Sequence, residues 1–203
     1  MTDDRSGRVA AVVLAAGTSS RMGRNKLFLE LGGTSVLRRA VDSALEAGLD
    51  PVVVVLGHES DRARAELAGS SCTTVLNPEY ARGMNTSVGA GVGAVPGDAA
   101  GVVLMLADMP LVDVEMLRAL VERYRDSRAP LVISTYGEVL APPILYGRAL
   151  FPELRALDAE GCGKRVVKLH RGEAIELSWP ASALSDLDVP EDVERVRAQM
   201  KES

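Results

Sequence analysis

Aromatic, cysteine and histidine residues are scarce in this sequence. Aromatic side chains make up 3% of the 203 residues, and there are two cysteines and two histidines. Cys72 and Cys162, like His58 and His170, show no CxxC or HxxxH spacing, so a zinc site is not expected. We expect both cysteines to stay reduced, with Cys72 buried at the edge of a strand.

Long apolar runs and an excess of positive charge are also missing. The longest apolar run, 9–16, is far shorter than the roughly 18 residues that a membrane span needs. Residues 1–8 are polar, so we expect no signal peptide, no membrane association and a cytoplasmic protein. Because the formal net charge is -5 and no basic stripe is visible, nucleic acid is not an expected partner.

Strand-like and helix-like segments alternate along most of the chain. Continuous apolar runs at 9–14, 52–56 and 102–106 are typical of parallel strands that are buried on both faces. Apolar residues recur at helical spacing over 36–45, between the first two runs. The pattern predicts an α/β fold with a three-layer, doubly wound, mostly parallel sheet of the Rossmann-like kind.

The C-terminal third departs from this alternation. Pro142 and Pro143 interrupt the segment 137–146, which we expect to be an edge strand or an excursion rather than a central strand. A short strand at 175–177 and a closing helix over 190–200 are predicted after it. Neither a repeat nor a long linker divides the chain.

The segment after the first predicted strand carries the strongest functional signal. It runs LAAGTSSRMGRNK from Leu14 to Lys26, and Arg21 and Lys26 give it positive charge. Ligands bind at the carboxyl ends of strands in such sheets, and backbone N–H groups in tight turns bind anions. The segment therefore suits a triphosphate, although it fits neither the P-loop pattern GxxxxGK[ST] nor the dinucleotide pattern GxGxxG.

Acidic residues follow later segments of the chain. Asp108 comes directly after the strand predicted at 102–106, where a carboxylate can bind Mg²⁺ together with substrate phosphates. Asp186 and Asp188 alternate in an extended segment and so lie on one face of it. Each also has a purely structural interpretation: Asp108 can form a turn before Pro110, and the other two can cap the closing helix.

These motifs resemble those of a known enzyme family. The segment 14–26 is similar to the LAAGxSSRMGxxK signature of the molybdenum cofactor cytidylyltransferases, which belong to the MobA-like NTP transferases. The resemblance covers nearly the whole chain and continues through Asn77-Pro78 with Gly83 and Ser87, LADMPL at 106–111, LFPEL at 150–154 and LDVPED at 187–192.

The resemblance implies a magnesium-dependent nucleotidyltransferase that transfers CMP from CTP to a phosphorylated, molybdopterin-type cofactor and releases pyrophosphate. Cytidine-using members carry LAAG and guanosine-using members LAGG, so Ala16 favours CTP over another NTP. A molybdoenzyme is a further candidate partner. The implied catalytic residues are Arg21, Lys26 and Asp108; the implied nucleotide-binding residues are these three with Leu14, Ala15, Ala16, Gly17, Asn77 and Ser87; the implied metal ligands are Asp108 and Asp188.

The same resemblance implies one nucleotidyltransferase domain over 1–203. Its nucleotide-binding part would cover about 8–112 and its acceptor-binding part about 113–203. His58 follows the strand predicted at 52–56, and it can either line the nucleotide site or be an ordinary exposed loop residue. We expect the exposed position for His58.

The sequence departs from the family pattern in two places. Family members usually have Gly-His-Pro where this chain has Ala141-Pro142-Pro143, and a threonine where it has Val189 before Pro190. The first departure motivates one alternative, a nucleotidyltransferase acting on another phosphorylated acceptor such as a sugar phosphate. Two other classes of protein also stay open: an oxidoreductase of the nicotine blue reductase type, as some proteins that resemble this family are, and a carrier that delivers the cofactor without catalysis. The absence of GxGxxG after the first strand counts against the oxidoreductase.

Overall fold

A computed structural model of the chain describes residues 7–17, 25–127, 129–157, 163–184 and 192–197. The strands are β1 (Val9–Ala15), β2 (Glu30–Leu31), β3 (Thr34–Ser35), β4 (Val52–Leu56), β5 (Thr73–Leu76), β6 (Gly101–Leu106), β7 (Leu131–Tyr136), β8 (Val139–Leu140), β9 (Ile144–Gly147) and β10 (Ile175–Trp179). The α-helices are α1 (Val36–Glu46), α2 (Ser60–Glu66), α3 (Met84–Ala94), α4 (Val114–Asp126), α5 (Phe151–Arg155) and α6 (Lys164–His170).

Eight strands form one sheet, in the order β10-β7-β9-β6-β1-β4-β5, with β8 paired to β7. β1 pairs in parallel with β4 and with β6, β4 pairs in parallel with β5, and β7 with β10. Within the described residues, antiparallel pairing in this sheet is confined to β8 and β9. The predicted α/β fold with a mostly parallel sheet is confirmed.

Each face of the sheet carries its own hydrophobic core. Successive side chains of a strand point to opposite faces, so β1 contributes to both cores. Its odd-numbered residues pack with α1 and α4, and its even-numbered residues pack with α3, α5 and α6. Because helices cover both faces, the central strands have no polar side and read as unbroken apolar runs.

The expectation of an edge strand or an excursion over 137–146 holds for β8, which lies off the main strand order and pairs with β7, but it is wrong for the residues from 144 onward. β9 lies inside the sheet, between β6 and β7, and pairs antiparallel with both. The two prolines precede the strand, and their carbonyls accept hydrogen bonds from Tyr136 Oη (Pro142, 2.9 Å) and Ser134 Oγ (Pro143, 2.7 Å). Since neither proline has to donate an N–H within β9, a central strand can begin directly after them.

Two smaller expectations have mixed outcomes. Cys72 was expected to be buried, but it is only partly buried, because it directly precedes β5 at the edge of the sheet. Of the closing helix predicted over 190–200, residues 192–197 are helical and the others lie outside the described residues. Every helix in the described part of the chain is too short or too polar to cross a lipid bilayer.

Gly91 allows α3 to lie close against the sheet. A Cβ atom at this position would lie 2.4 Å from Val12 Cγ1 and 2.8 Å from Val55 Cγ2. We therefore expect Gly91→Ala to lower the free energy of unfolding by about 1–3 kcal/mol, measured by urea denaturation. Gly93 is the matched control, since a Cβ there meets nothing within 4 Å, and Gly93→Ala should be neutral or stabilising. Equal unfolding free energies for the two variants would contradict this packing.

Candidate functional site

A cleft of about 200 Å³ lies at the carboxyl ends of β1 and β6, beside the first turns of α3. Its walls include residues 14–17 at the end of β1, Lys26, Tyr80, Ser87 and Asp108. The position agrees with the general location of ligand sites in parallel α/β sheets. The structure thus brings together at one cleft most of the described residues that the sequence assigned to a nucleotide site.

Hydrogen bonds from both neighbouring strands hold the end of β1 in place. The N–H of Ala107, after β6, donates to the Leu14 carbonyl at 3.1 Å, and the N–H of His58, after β4, donates to the Ala16 carbonyl at 3.4 Å. Gly17 follows at the mouth of the cleft, where an added Cβ would meet nothing within 4 Å. Hydrogen bonds therefore hold the LAAG segment in place as far as Ala16, and Gly17 leaves room for a ligand to approach the backbone.

Arg21, Asp186 and Asp188 lie outside the described residues. Arg21 belongs to the segment between Gly17 and Lys26, and Asp188 to the segment before residue 192. Their predicted parts in triphosphate and metal binding stay predictions.

Lys26 and Asp108 meet in the cleft. Lys26 Nζ lies 2.6 Å from Asp108 Oδ2, and the two side chains are only 13% and 23% exposed. Lys26 begins a single 3-10 turn whose preceding residue, Asn25, accepts a hydrogen bond from the N–H of Leu27 at 3.1 Å. Asp108 lies in the turn that follows β6, as its structural interpretation predicted. It also lines the cleft.

This ion pair defines what the charged part of the cleft can bind. An ammonium group attracts phosphate oxygens, and a carboxylate attracts a divalent cation. A metal-bound triphosphate carries both kinds of charge side by side. It can therefore replace the contact between Lys26 and Asp108 with one partner for each group.

Asn77 organises the loop that leads from β5 to α3. Its Nδ2 donates to Thr86 Oγ1 and to Ser87 Oγ, each at 2.9 Å, and its Oδ1 accepts from the N–H of Glu79 at 3.0 Å. Thr86 Oγ1 in turn donates to the Gly83 carbonyl at 2.8 Å. Asn77 and Ser87 are both buried, but Ser87 also lines the cleft, so Asn77 is connected to the cleft through Ser87.

The two ends of the cleft differ in chemistry. Since β1 lies between β4 and β6, the groups after β6 stand on one side of it and those after β4 on the other. Asp108 with Lys26 makes the β6 side charged, while Ala16, Tyr80 and Met84 give the other end of the cleft an uncharged lining, with Gly57 of the β4 side against Tyr80. Neighbouring strands are about 4.8 Å apart, so the ends of β4 and β6 lie roughly 10 Å from each other.

Tyr80 and Met84 line the cleft but were missed from the sequence. Both lie between Asn77 and Ser87 in the sequence. The sequence therefore pointed to this segment, but it did not show that these two side chains reach the cleft. His58 is exposed as expected, with 44% of its side chain accessible and its ring 6.5 Å from that of Tyr80.

One pKa shift links the loop after β4 to the turn that contains Lys26. A hydrogen bond with the Asn25 side chain is the largest influence on Glu59, and together with Arg62 it lowers the pKa of the Glu59 carboxyl. Glu59 also has a positive φ of 53°, a backbone conformation that non-glycine residues seldom adopt. Glu59 is anionic at neutral pH even at its ordinary pKa, and the lowered pKa keeps this charge, beside the residue that precedes Lys26, at more acidic pH.

Comparison with known proteins agrees with this geometry. Residues 11–175 match the family described as the MobA-like NTP transferase domain. The chain is 32% identical to purine catabolism protein PucB of Bacillus subtilis, covering 97% of this chain and 99% of PucB. It is also 32% identical to the bifunctional protein GlmU of Geotalea uraniireducens, with 79% of this chain covered but only 34% of GlmU. This chain therefore corresponds to about a third of GlmU.

Solved structures show the same fold. Rv0371c from Mycobacterium tuberculosis superposes with a TM-score of 0.83 at 28% identity, covering 95% of this chain and 98% of Rv0371c. A structure of Rv0371c in complex with manganese gives a TM-score of 0.77 at 27% identity, covering 94% and 98%. The chain belongs to the MobA-like NTP transferase family and is a nucleotidyltransferase, which confirms the resemblance seen in its sequence.

Proposed function

We propose that this chain transfers CMP from CTP to a phosphorylated, molybdopterin-type cofactor in a Mg²⁺-dependent reaction that releases pyrophosphate. The observation that carries the proposal is the pairing of Lys26 with Asp108 in the cleft at the end of β1. Residues about 8–112 would bind the nucleotide, and residues about 113–203 would bind the acceptor.

The donor set at the charged end fits Mg²⁺. Within the described residues, no group of three or more histidine, cysteine or acidic side chains is placed to enclose a metal. A lone carboxylate such as that of Asp108 suits an ion that also binds substrate phosphates and water, as Mg²⁺ does. Asp188 is the proposed second ligand, and the manganese complex of Rv0371c supports a divalent ion in this family. When bound, the ion would neutralise phosphate charge and help to orient the triphosphate.

The proposed chemistry needs no covalent enzyme intermediate. An oxygen of the acceptor phosphate attacks the α-phosphorus of CTP, and the bond from that phosphorus to the bridging oxygen of pyrophosphate breaks. Negative charge grows on the leaving pyrophosphate. Lys26, with Arg21 as a second cation, would neutralise this charge, and the backbone of residues 14–17 would hold the nucleotide in line with the acceptor.

The proposed preference for cytosine over a purine depends on the methyl group of Ala16. Ala16 Cβ lies 2.9 Å from the position that a Cβ of Gly57 would occupy, so it borders the uncharged end of the cleft. A methyl group there narrows the space for a purine, whereas a glycine would leave it open. We therefore propose that the base binds at the uncharged end of the cleft and that the phosphates bind at the end that contains Lys26.

The acceptor has a second candidate. Ala141-Pro142-Pro143 leads into β9, whose first residue, Ile144, pairs with Leu104 of β6, so the tripeptide lies beside the carboxyl end of β6. Its proline carbonyls are bonded to Ser134 and Tyr136, and it lacks the histidine that is usual in the family. This difference favours, as the alternative, the same reaction on another phosphorylated acceptor such as a sugar phosphate.

A thermal-shift screen with CTP, GTP, ATP and NADH, each with and without Mg²⁺, tests the nucleotide assignment. We expect CTP with Mg²⁺ to give the largest rise in melting temperature, because CTP is the proposed substrate. A ligand at a hundred times its Kd adds about 2.7 kcal/mol to the free energy of unfolding. Stabilisation by NADH alone would contradict the proposal and support an oxidoreductase.

Pyrophosphate release distinguishes the acceptors. The purified chain, CTP and Mg²⁺ are incubated with molybdopterin or with a sugar phosphate. Release with molybdopterin is the expected result. Release with the sugar phosphate alone would identify the second candidate, and binding of both substrates without release would indicate a carrier.

A further inference from the structure

Three residues meet at the uncharged end of the cleft. Tyr80 lies in a 3-10 turn, Tyr80–Arg82, and its side chain lines the cleft. A Cβ atom at Gly57 would lie 2.6 Å from Tyr80 Cγ, 2.8 Å from Tyr80 Cβ and 2.9 Å from Ala16 Cβ. Contacts under 3.0 Å are too short for carbon atoms, so no other residue fits at position 57 unless Tyr80 or Ala16 moves. Because Gly57 has no side chain, the ring of Tyr80 can lie close to the end of β1 at this point.

The loop that carries Tyr80 is fixed from the other side. The Asn77 side chain bonds to the backbone N–H of Glu79, directly before Tyr80, and to the hydroxyl of Ser87 on α3. The Thr86 hydroxyl lies within 3.1 Å of the Glu79 carbonyl, and the N–H of Gly83 donates to the Tyr80 carbonyl at 3.3 Å. The ring of Tyr80 is therefore held between a network on α3 and the open position at Gly57, as a preformed wall.

The chemistry of this wall matches that of a nucleobase. A base is flat and uncharged, and packing of a base on an aromatic side chain changes affinity by about tenfold or more. Tyr80 lies against Gly57, directly after β4, and Lys26 pairs with Asp108, after β6, which gives the cleft the polarity of a nucleoside triphosphate.

On the basis of the nucleotide-binding function proposed above, we propose that Tyr80 is a specificity-determining residue that contacts the base, and that Gly57 is the positioning residue that sets the place of its ring. The gap between the Tyr80 ring and the Ala15-Ala16-Gly17 backbone then limits the size of the base. Removal of the ring widens the gap and admits purines. Addition of a methyl group at position 57 displaces the ring and changes the gap without touching Lys26 or Asp108.

The test measures equilibrium binding of CTP, UTP, ATP and GTP with Mg²⁺ to the wild-type chain and to Tyr80→Ala, Tyr80→Phe and Gly57→Ala. We expect Tyr80→Ala to lose about tenfold in affinity for CTP and to bind purine nucleotides at least as well as the wild-type chain. Tyr80→Phe keeps the ring and should keep the wild-type ranking. Gly57→Ala should change the ranking as well.

Two control variants separate these effects from general destabilisation. Gly93→Ala adds a methyl group where nothing lies within 4 Å, and Leu169→Ala truncates a side chain that is 66% exposed on α6. Both should keep the wild-type ranking. If Gly57→Ala does not fold, Tyr80→Ala and Tyr80→Phe still decide the matter, because their substitutions only remove atoms.

The possible failures are distinguishable. An unchanged nucleotide ranking in Tyr80→Ala, with the wild-type chain binding nucleotides, would overturn the role of Tyr80 and leave the proposed function standing. Loss of the ranking in Tyr80→Phe to the same degree would show that the hydroxyl, not the ring, acts. A wild-type chain that binds no nucleotide with Mg²⁺ would overturn the proposed function itself.

Discussion

Lys26→Met is expected to lower turnover by about a hundredfold to a thousandfold while the fold is kept. The substitution removes the ammonium group that lies 2.6 Å from Asp108 and is proposed to neutralise the leaving pyrophosphate. Loss of one preorganised charge of this kind costs about 10²–10³ in kcat. Pyrophosphate release under saturating CTP and acceptor measures the effect, and circular dichroism checks the fold.

Lys26→Met should weaken the binding of the triphosphate group and leave the selectivity for the base unchanged. We expect weaker binding of every triphosphate and the same order of preference among CTP, UTP, ATP and GTP. Lys168→Met is the matched control, because Lys168 is exposed on α6, away from the cleft. Turnover as fast as that of the control, or a change of base preference alone, would refute the assigned role of Lys26.

Asp108→Asn is expected to abolish metal-dependent turnover. The change keeps the size of the side chain, which is 23% exposed, but removes the negative charge proposed to bind the divalent ion. The melting temperature should fall, since the pair with Lys26 is mostly buried and the substitution puts a neutral amide beside the Lys26 ammonium, so circular dichroism checks that the fold is kept. The rate of pyrophosphate release is measured as a function of Mg²⁺ concentration.

A control variant makes the Asp108 result specific. Asp126→Asn neutralises an exposed carboxylate at the end of α4 and should keep the wild-type dependence on Mg²⁺. An Asp108→Asn variant that responds to Mg²⁺ like the wild-type chain would show that another group holds the ion. Asp188 would then be the first residue to substitute.

Much of the architecture could be predicted from the sequence because the central strands are buried on both faces. β1, β4 and β6 appear as apolar runs, and α1 lies where helical spacing of apolar residues begins. The position of β9 could not be predicted, because a short strand after two prolines has the same composition at an edge or in the interior. Its antiparallel pairing with β6 and β7 is decided by tertiary contacts.

The meeting of Lys26 and Asp108 follows from the same logic. One residue follows β1 and the other follows β6, and neighbouring parallel strands end at the same edge of a sheet. Tyr80 was missed because its importance depends on a missing Cβ at Gly57, a contact between segments that are distant in sequence. Sequence patterns within one element contain no signal for it.

Asn77 illustrates a further limit of prediction from sequence. An amide side chain has donors and an acceptor, so it can bind a ligand or organise a loop equally well. The sequence assigned Asn77 to the nucleotide, and the structure shows its amide bonded to Thr86, Ser87 and the backbone of Glu79. Its direct contact with a nucleotide stays a prediction.

A crystal structure of the chain with Mn²⁺ and a non-hydrolysable CTP analogue tests the central claim most directly. We expect an anomalous manganese peak within about 2.5 Å of an Asp108 carboxylate oxygen, the triphosphate in contact with Lys26 Nζ, and cytosine beside Tyr80. A nucleotide bound outside the cleft at the end of β1, or a manganese ion away from Asp108, would contradict it.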